Sequence, residues 1–107
     1  MTYDVVFSPE AEAQIVALYF HIAEAASPAI AAKYTEDIVR ECESLRTLPH
    51  RGTRRDNIRG GLRTFGFRRR VTIAFDVADD LVTILGVFMA GVTSRRYSRR
   101  SRRAGPI

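Results

Sequence analysis

Apolar positions along the chain follow two periods. Residues 2–7, Thr2-Tyr3-Asp4-Val5-Val6-Phe7, put Tyr3, Val5 and Phe7 on one side of an extended chain, which predicts a short strand. From Pro9 the period lengthens. Ala11, Ile15, Leu18, Ile22 and Ala26 recur every three or four residues, so a helix is predicted over about Pro9–Ala26, with Tyr19 and Phe20 widening or flanking its apolar stripe. Ser8 is placed to cap that helix, Pro9 suits a first turn that needs no N–H, and Glu10 and Glu12 complement the positive end of the helix dipole. Ser27-Pro28 repeats this start. A second helix is predicted from Pro28 to about Leu48, with Ile30, Ala31, Tyr34, Ile38, Cys42 and Leu45 as its stripe. Pro49 ends it, because the residue before a proline is pushed out of helical geometry. The short link between the two helices demands a tight hairpin.

The second half of the chain reads as β structure. Residues 49–61, PHRGTRRDNIRGG, form a basic loop punctuated by Gly52, Gly60 and Gly61. Leu62–Phe65 predicts a short strand broken by Gly66. Phe67–Val77 then alternates, with Phe67, Val71, Ile73, Phe75 and Val77 on one face and Arg69 as the exception. This pattern puts Arg68 and Arg70 mid-strand on the opposite face. Ala78-Asp79-Asp80 predicts a hairpin turn, and Leu81–Met89 is apolar on both faces, as in a central strand or one covered by a partner. The predicted order is strand, helix, helix, then three antiparallel strands. It implies an α+β domain over residues 1–92, with the helices packed on one face of a small antiparallel sheet. Residues 93–107 read as a basic, flexible tail.

Composition narrows the classes of function. The chain has 107 residues and 46% hydrophobic content, enough for one modest core and too much for wholesale disorder. No apolar run approaches the ~20 residues of a membrane helix, and the opening MTYDVVFSPEAEA lacks the basic-then-apolar layout of a secretory signal. Cys42 is the single cysteine, which excludes an intrachain disulfide and suits a reducing cytoplasm. Charge is divided between the halves. Residues 1–50 carry three cations against eight acids; residues 51–107 carry 14 Arg against four acids, a net of +10. Sixteen of the 17 basic residues are arginine, and their field favours an acidic partner.

Catalytic chemistry finds little support in the sequence. His21 and His50 share no acid at metal-ligand spacing, so no metal or cofactor is expected. Gly60-Gly61 lacks the Lys-Ser/Thr of a phosphate loop, and Cys42 falls on an apolar stripe, as a buried small hydrophobe does. Arginines hold phosphates or carboxylates well, but a metal-free ribonuclease also needs a base and an acid. The candidates for those roles are Tyr97, His50 and a few carboxylates.

Several segments in this order are similar to a known family. The opening strand is followed by FSPEAEAQIVALYFHIA, then SPAIAAKYTEDIVRECESLRTLPHRGTRR, then IRGGLRTFGFRRRVTIAFDV and DDLVTILGVFMAG. Over roughly residues 3–90 the chain resembles the ParE toxins of the RelE/ParE superfamily, the plasmid-stabilisation toxins of type II toxin–antitoxin systems. The resemblance implies a helical hairpin on a small antiparallel sheet and a hetero-oligomeric complex with a ParD-like antitoxin whose C-terminal segment is acidic. It also implies operator DNA binding through the antitoxin, and DNA gyrase as the target. An antitoxin would then meet Arg59, Arg63, Arg68 and Arg70, with Leu81 and Phe88 as apolar contacts, while Arg95, Arg96 and Tyr97 would face the target. The superfamily's RelE branch cleaves mRNA at the ribosome with basic residues and a C-terminal tyrosine or histidine. Here only Tyr97 is offered for that part, and the RelE lysines have no counterpart. That places a ribonuclease, or a non-toxic antitoxin-binding relative, second to the gyrase reading.

Overall fold

A computed structural model of the chain describes residues 2–58 and 60–89. Its elements are β1 (Asp4–Phe7), α1 (Pro9–Ala25), α2 (Pro28–Glu43), a 3-10 turn (Ser44–Arg46), β2 (Thr53–Arg54), β3 (Leu62–Phe67), β4 (Val71–Ala78) and β5 (Leu81–Met89). Both helices begin as their sequences dictate. The Ser8 Oγ accepts from the Ala11 N–H at 3.0 Å, and the Ser27 Oγ accepts from the Ile30 N–H at 3.1 Å. Each cap satisfies a donor that the first helical turn leaves unpaired.

The five strands form one mixed sheet in the order β1-β5-β4-β3-β2. Three of its four pairings are antiparallel. β1 instead lies parallel to β5, with Asp4 opposite Leu81 and Phe7 opposite Ile84. The predicted antiparallel sheet is thus corrected at one edge: α1 and α2 carry the chain away from β1, and β5 returns alongside it. β5 therefore sits between β1 and β4, a central strand of the sheet.

The helices cover one face of the sheet. Val71, Ile73 and Phe75 of β4 and Val82, Ile84 and Val87 of β5 are buried there with Leu18, Ile38 and Cys42 of the helices. A bulge keeps this face continuous. Ala74 pairs with Gly86 but Phe75 pairs with Ile84, so Leu85 is the extra residue and both Ile84 and Val87 face the core. The other face has no helix over it among the described residues. It presents smaller residues, including Thr64, Thr72, Ala74 and Thr83.

Four local expectations are corrected. Gly66 does not break β3, which runs through it to Phe67. The long strand predicted from Phe67 is interrupted by a turn at residues 68–70, closed by the Arg70 N–H bonding the Phe67 carbonyl at 3.2 Å. Arg68 and Arg70 thus lie in a turn and not mid-strand; the odd arginine in the alternation marked the turn. α2 stops at Glu43 and tightens into the 3-10 turn well before Pro49. β2, two residues long, lies in what reads as loop. The predicted tail, 93–107, falls outside the described residues.

Candidate functional site

The described basic residues of the second half gather at two ends of β3. At its start, the Arg63 side chain is held by its own chain: Nε donates to the Arg51 carbonyl at 3.1 Å and an η nitrogen to the His50 carbonyl. Arg51 pairs with Glu41 at 3.0 Å, donates to the Ser44 Oγ at 3.1 Å and lies over the Phe65 ring. These contacts bind the 49–61 loop to α2 and to β3. Gly52 makes the approach possible, since a Cβ there would stand 2.3 Å from the Thr64 carbonyl oxygen. Arg54 pairs with Asp56 at 2.5 Å, and Arg55 donates to the Thr64 Oγ1 at 3.1 Å. Between them lies an open cleft of about 270 Å³ whose polar lining is His50, Arg54, Asp56 and Arg63.

The far end of β3 is organised around Asp37. Its carboxylate, almost wholly buried on α2, receives Arg68 at 2.7 Å, Arg40 at 2.9 Å and Lys33 at 3.4 Å. Burial by itself would raise the Asp37 pKa. The Arg68 hydrogen bond and the Lys33 charge outweigh it and hold the carboxyl below its usual value. The Arg68 guanidinium also stacks near the rings of Phe67 and Tyr34, 4.8 and 5.3 Å from their centroids, and those rings meet edge to face. The turn itself is costly. Arg68 and Arg69 have φ of 52° and 65°, a left-handed pair that normally falls to Asn-Gly. Each such non-glycine residue costs about 1–2 kcal/mol. Arg68 offsets that cost by anchoring the turn to α2, and leaves the side chains of Arg69 and Arg70 exposed.

The candidate antitoxin residues therefore do not converge on one patch. Arg63 and Arg68 stand five residues apart along β3, about 17 Å at strand rise. Leu81 opens β5 beside Asp4, toward the Arg63 end, and is 39% exposed. Phe88 pairs with Thr72 near the Arg68 end, half-buried, its ring lying where a side chain on Gly86 would be. Arg59, Arg95, Arg96 and Tyr97 lie outside the described residues. Asp37 was missed in sequence because it sits in a helix among other charges, and nothing local marks it as buried. Cys42 is buried as its stripe implies, and burial, with Glu41 and Glu43 adding to it, pushes its thiol pKa up to about 12. Among the described residues no helix is long and apolar enough to cross a membrane, and no three His, Cys, Asp or Glu side chains gather where a metal ion would sit.

A helical hairpin laid on one face of a mixed sheet is the architecture of ParE-like toxins. The solved structure titled "Chromosomal ParDE TA system from P. aeruginosa" is similar over 82% of this chain and 96% of its own, at 25% identity and a TM-score of 0.72. Residues 5–90 match the family described as "ParE toxin of type II toxin-antitoxin system, parDE", and the chain belongs to that family. No curated protein matches it at comparable strength.

Proposed function

We propose that this chain is the toxin of a parDE-type pair that acts by binding and inhibiting DNA gyrase, and that a ParD-like antitoxin with an acidic C-terminal segment neutralises it. The observation that carries this reading is the family match, which spans both helices and all five strands. Charge supports the choice of partner. The described arginines of residues 51–70 lie at the two ends of β3, and an acidic segment would bind there with geometry that guanidinium forks favour. Arg95, Arg96 and Tyr97 are proposed to face the target. Operator DNA is reached through the antitoxin, and the working unit is a hetero-oligomer of toxin and antitoxin.

Inhibition here is occupancy, so no residue is assigned a chemical step. The test is a supercoiling assay with purified chain freed of antitoxin, run beside a translation assay with transcript mapping. Blocked supercoiling with intact transcripts supports the proposal. Cleavage at ribosome-positioned codons with normal supercoiling would replace it with the ribonuclease reading and point to Tyr97. No response from folded protein would leave a non-toxic, antitoxin-binding relative.

A further inference from the structure

The turn between β3 and β4 stands beside an open stretch of sheet edge. β2 pairs with β3 only at Thr53–Thr64 and Arg54–Arg63, with the Arg55 N–H reaching the Leu62 carbonyl. Backbone groups alternate sides along a strand, so Leu62, Thr64 and Gly66 all turn theirs toward the β2 edge. Beyond Gly52 the chain leaves that edge, its carbonyls at His50 and Arg51 being taken by the Arg63 side chain. Gly66 is exposed, and its N–H and carbonyl face outward with no strand opposite among the described residues. Two residues further on, Arg68 is fixed to Asp37, and Arg69 and Arg70 form no ion pair among the described residues.

We propose that this edge and turn form one recognition site for an extended acidic peptide. Its backbone continues the line of β2 and pairs with Gly66, while Arg69 and Arg70 take its carboxylates and Arg68 acts as a positioning residue. A peptide fits better than nucleic acid for two reasons. A peptide can continue the ladder, using the donor and the acceptor of the strand edge together. Two arginines on one turn match one or two carboxylates, whereas a duplex draws its affinity from many phosphates in a row. The strained left-handed pair has a use in this arrangement, since it aims the arginines before the partner arrives. The acidic partner class rests on the toxin–antitoxin reading above; the geometry of the site does not.

The test uses the full chain and a fluorescein-labelled synthetic peptide of alternating glutamate and valine, followed by anisotropy. Replacing Arg69 and Arg70 together by Ala is expected to weaken binding by at least about tenfold and to flatten its salt dependence. Arg68→Lys is expected to weaken binding while leaving the salt slope near that of the parent, since it keeps the charge and loses the planar guanidinium that stacks on the rings and fixes the turn. A peptide N-methylated at alternate residues carries the same charge but cannot pair as a strand. It requires no change to the protein, and it should bind at least about tenfold more weakly. Equal affinity for the methylated peptide, or an unchanged Kd in the double arginine variant, would overturn the site. So would a DNA duplex that binds in an Arg69/Arg70-dependent way while the peptide does not bind. Gyrase inhibition is read separately, so failure of the target assignment and failure of this site are distinguishable.

Discussion

Gly52→Ala offers a sharp test of how the basic loop is held. Gly52 has φ +85°, and a Cβ there would lie 2.3 Å from the Thr64 carbonyl oxygen, 3.1 Å from its carbon and 3.2 Å from the Phe65 Cβ. The obstacle is backbone within the sheet, so it cannot be cleared by a rotamer change. Left-handed strain contributes about 1–2 kcal/mol. Displacing the loop to relieve the clash adds about 1–3 kcal/mol, as overpacking does elsewhere. The total is about 2–5 kcal/mol. For a domain of this size it amounts to a fall in Tm of about 10 °C or more, at about 4–8 °C per kcal/mol. Circular dichroism melts and urea titrations of parent and variant measure it. Gly60→Ala is the control. A Cβ at Gly60 meets nothing within 4 Å, so stability should stay within about 0.5 kcal/mol of the parent. A Gly52→Ala loss below about 1 kcal/mol would refute the argument. It would mean that β2 and the Arg51–Arg63 contacts detach at little cost, and that the loop is not anchored as described.

Three further outcomes are expected. The Tyr34 hydroxyl is buried without a hydrogen-bond partner among the described residues, so Tyr34→Phe should leave stability unchanged or raise it; a loss above about 1 kcal/mol by urea titration would show that the hydroxyl is satisfied. Cys42, with its thiol pushed up to about 12, should stay unreactive toward an aromatic disulfide reagent at neutral pH until the chain is unfolded; fast labelling of the native chain would contradict the packing of α2. The Asp37 carboxyl has a folded pKa below its usual 3.8, so its pairing stabilises the fold fully above that value, and the contribution fades as pH falls through the lower folded one. Asp37→Asn should therefore be less stable than the parent near neutrality, with the difference closing in strong acid; a gap independent of pH would assign the loss to packing alone.

Much of this fold was legible because local and global signals agree. The Ser-Pro pairs placed both helix starts to the residue, and the apolar stripe of α1 named Ala11, Leu18 and Ile22, all buried. The doubly apolar run Leu81–Met89 was recognisable as a central strand. What failed was local punctuation. Gly66 looked like a breaker, yet it pairs with Thr72 inside β3, and the true turn carries Arg68-Arg69 where Asn-Gly would have announced it. The site was less legible than the fold. Charge patterning identified the arginine-rich half, but sequence spacing says nothing about which arginines are already satisfied. Arg63 is taken up by two carbonyls and Arg68 by Asp37, 31 residues away. Those contacts depend on tertiary approach, for which no period or motif exists.

The parallel pairing of β1 with β5 bears on how the molecule comes into being. Among the described residues the sheet neighbour of the first strand is β5, and Ser8 bonds the Leu85 carbonyl across 77 positions. The helical hairpin and the β3–β4–β5 meander are built from near neighbours and pay little loop entropy, whereas docking β1 closes a loop of nearly the whole domain. A nascent chain on the ribosome can thus form its local hairpins early but not its finished sheet. The complete sheet surface exists only once β5 has been made, so a chain cut short before Met89 is structurally unfinished, and any partner that reads the closed sheet engages only chains extended through β5.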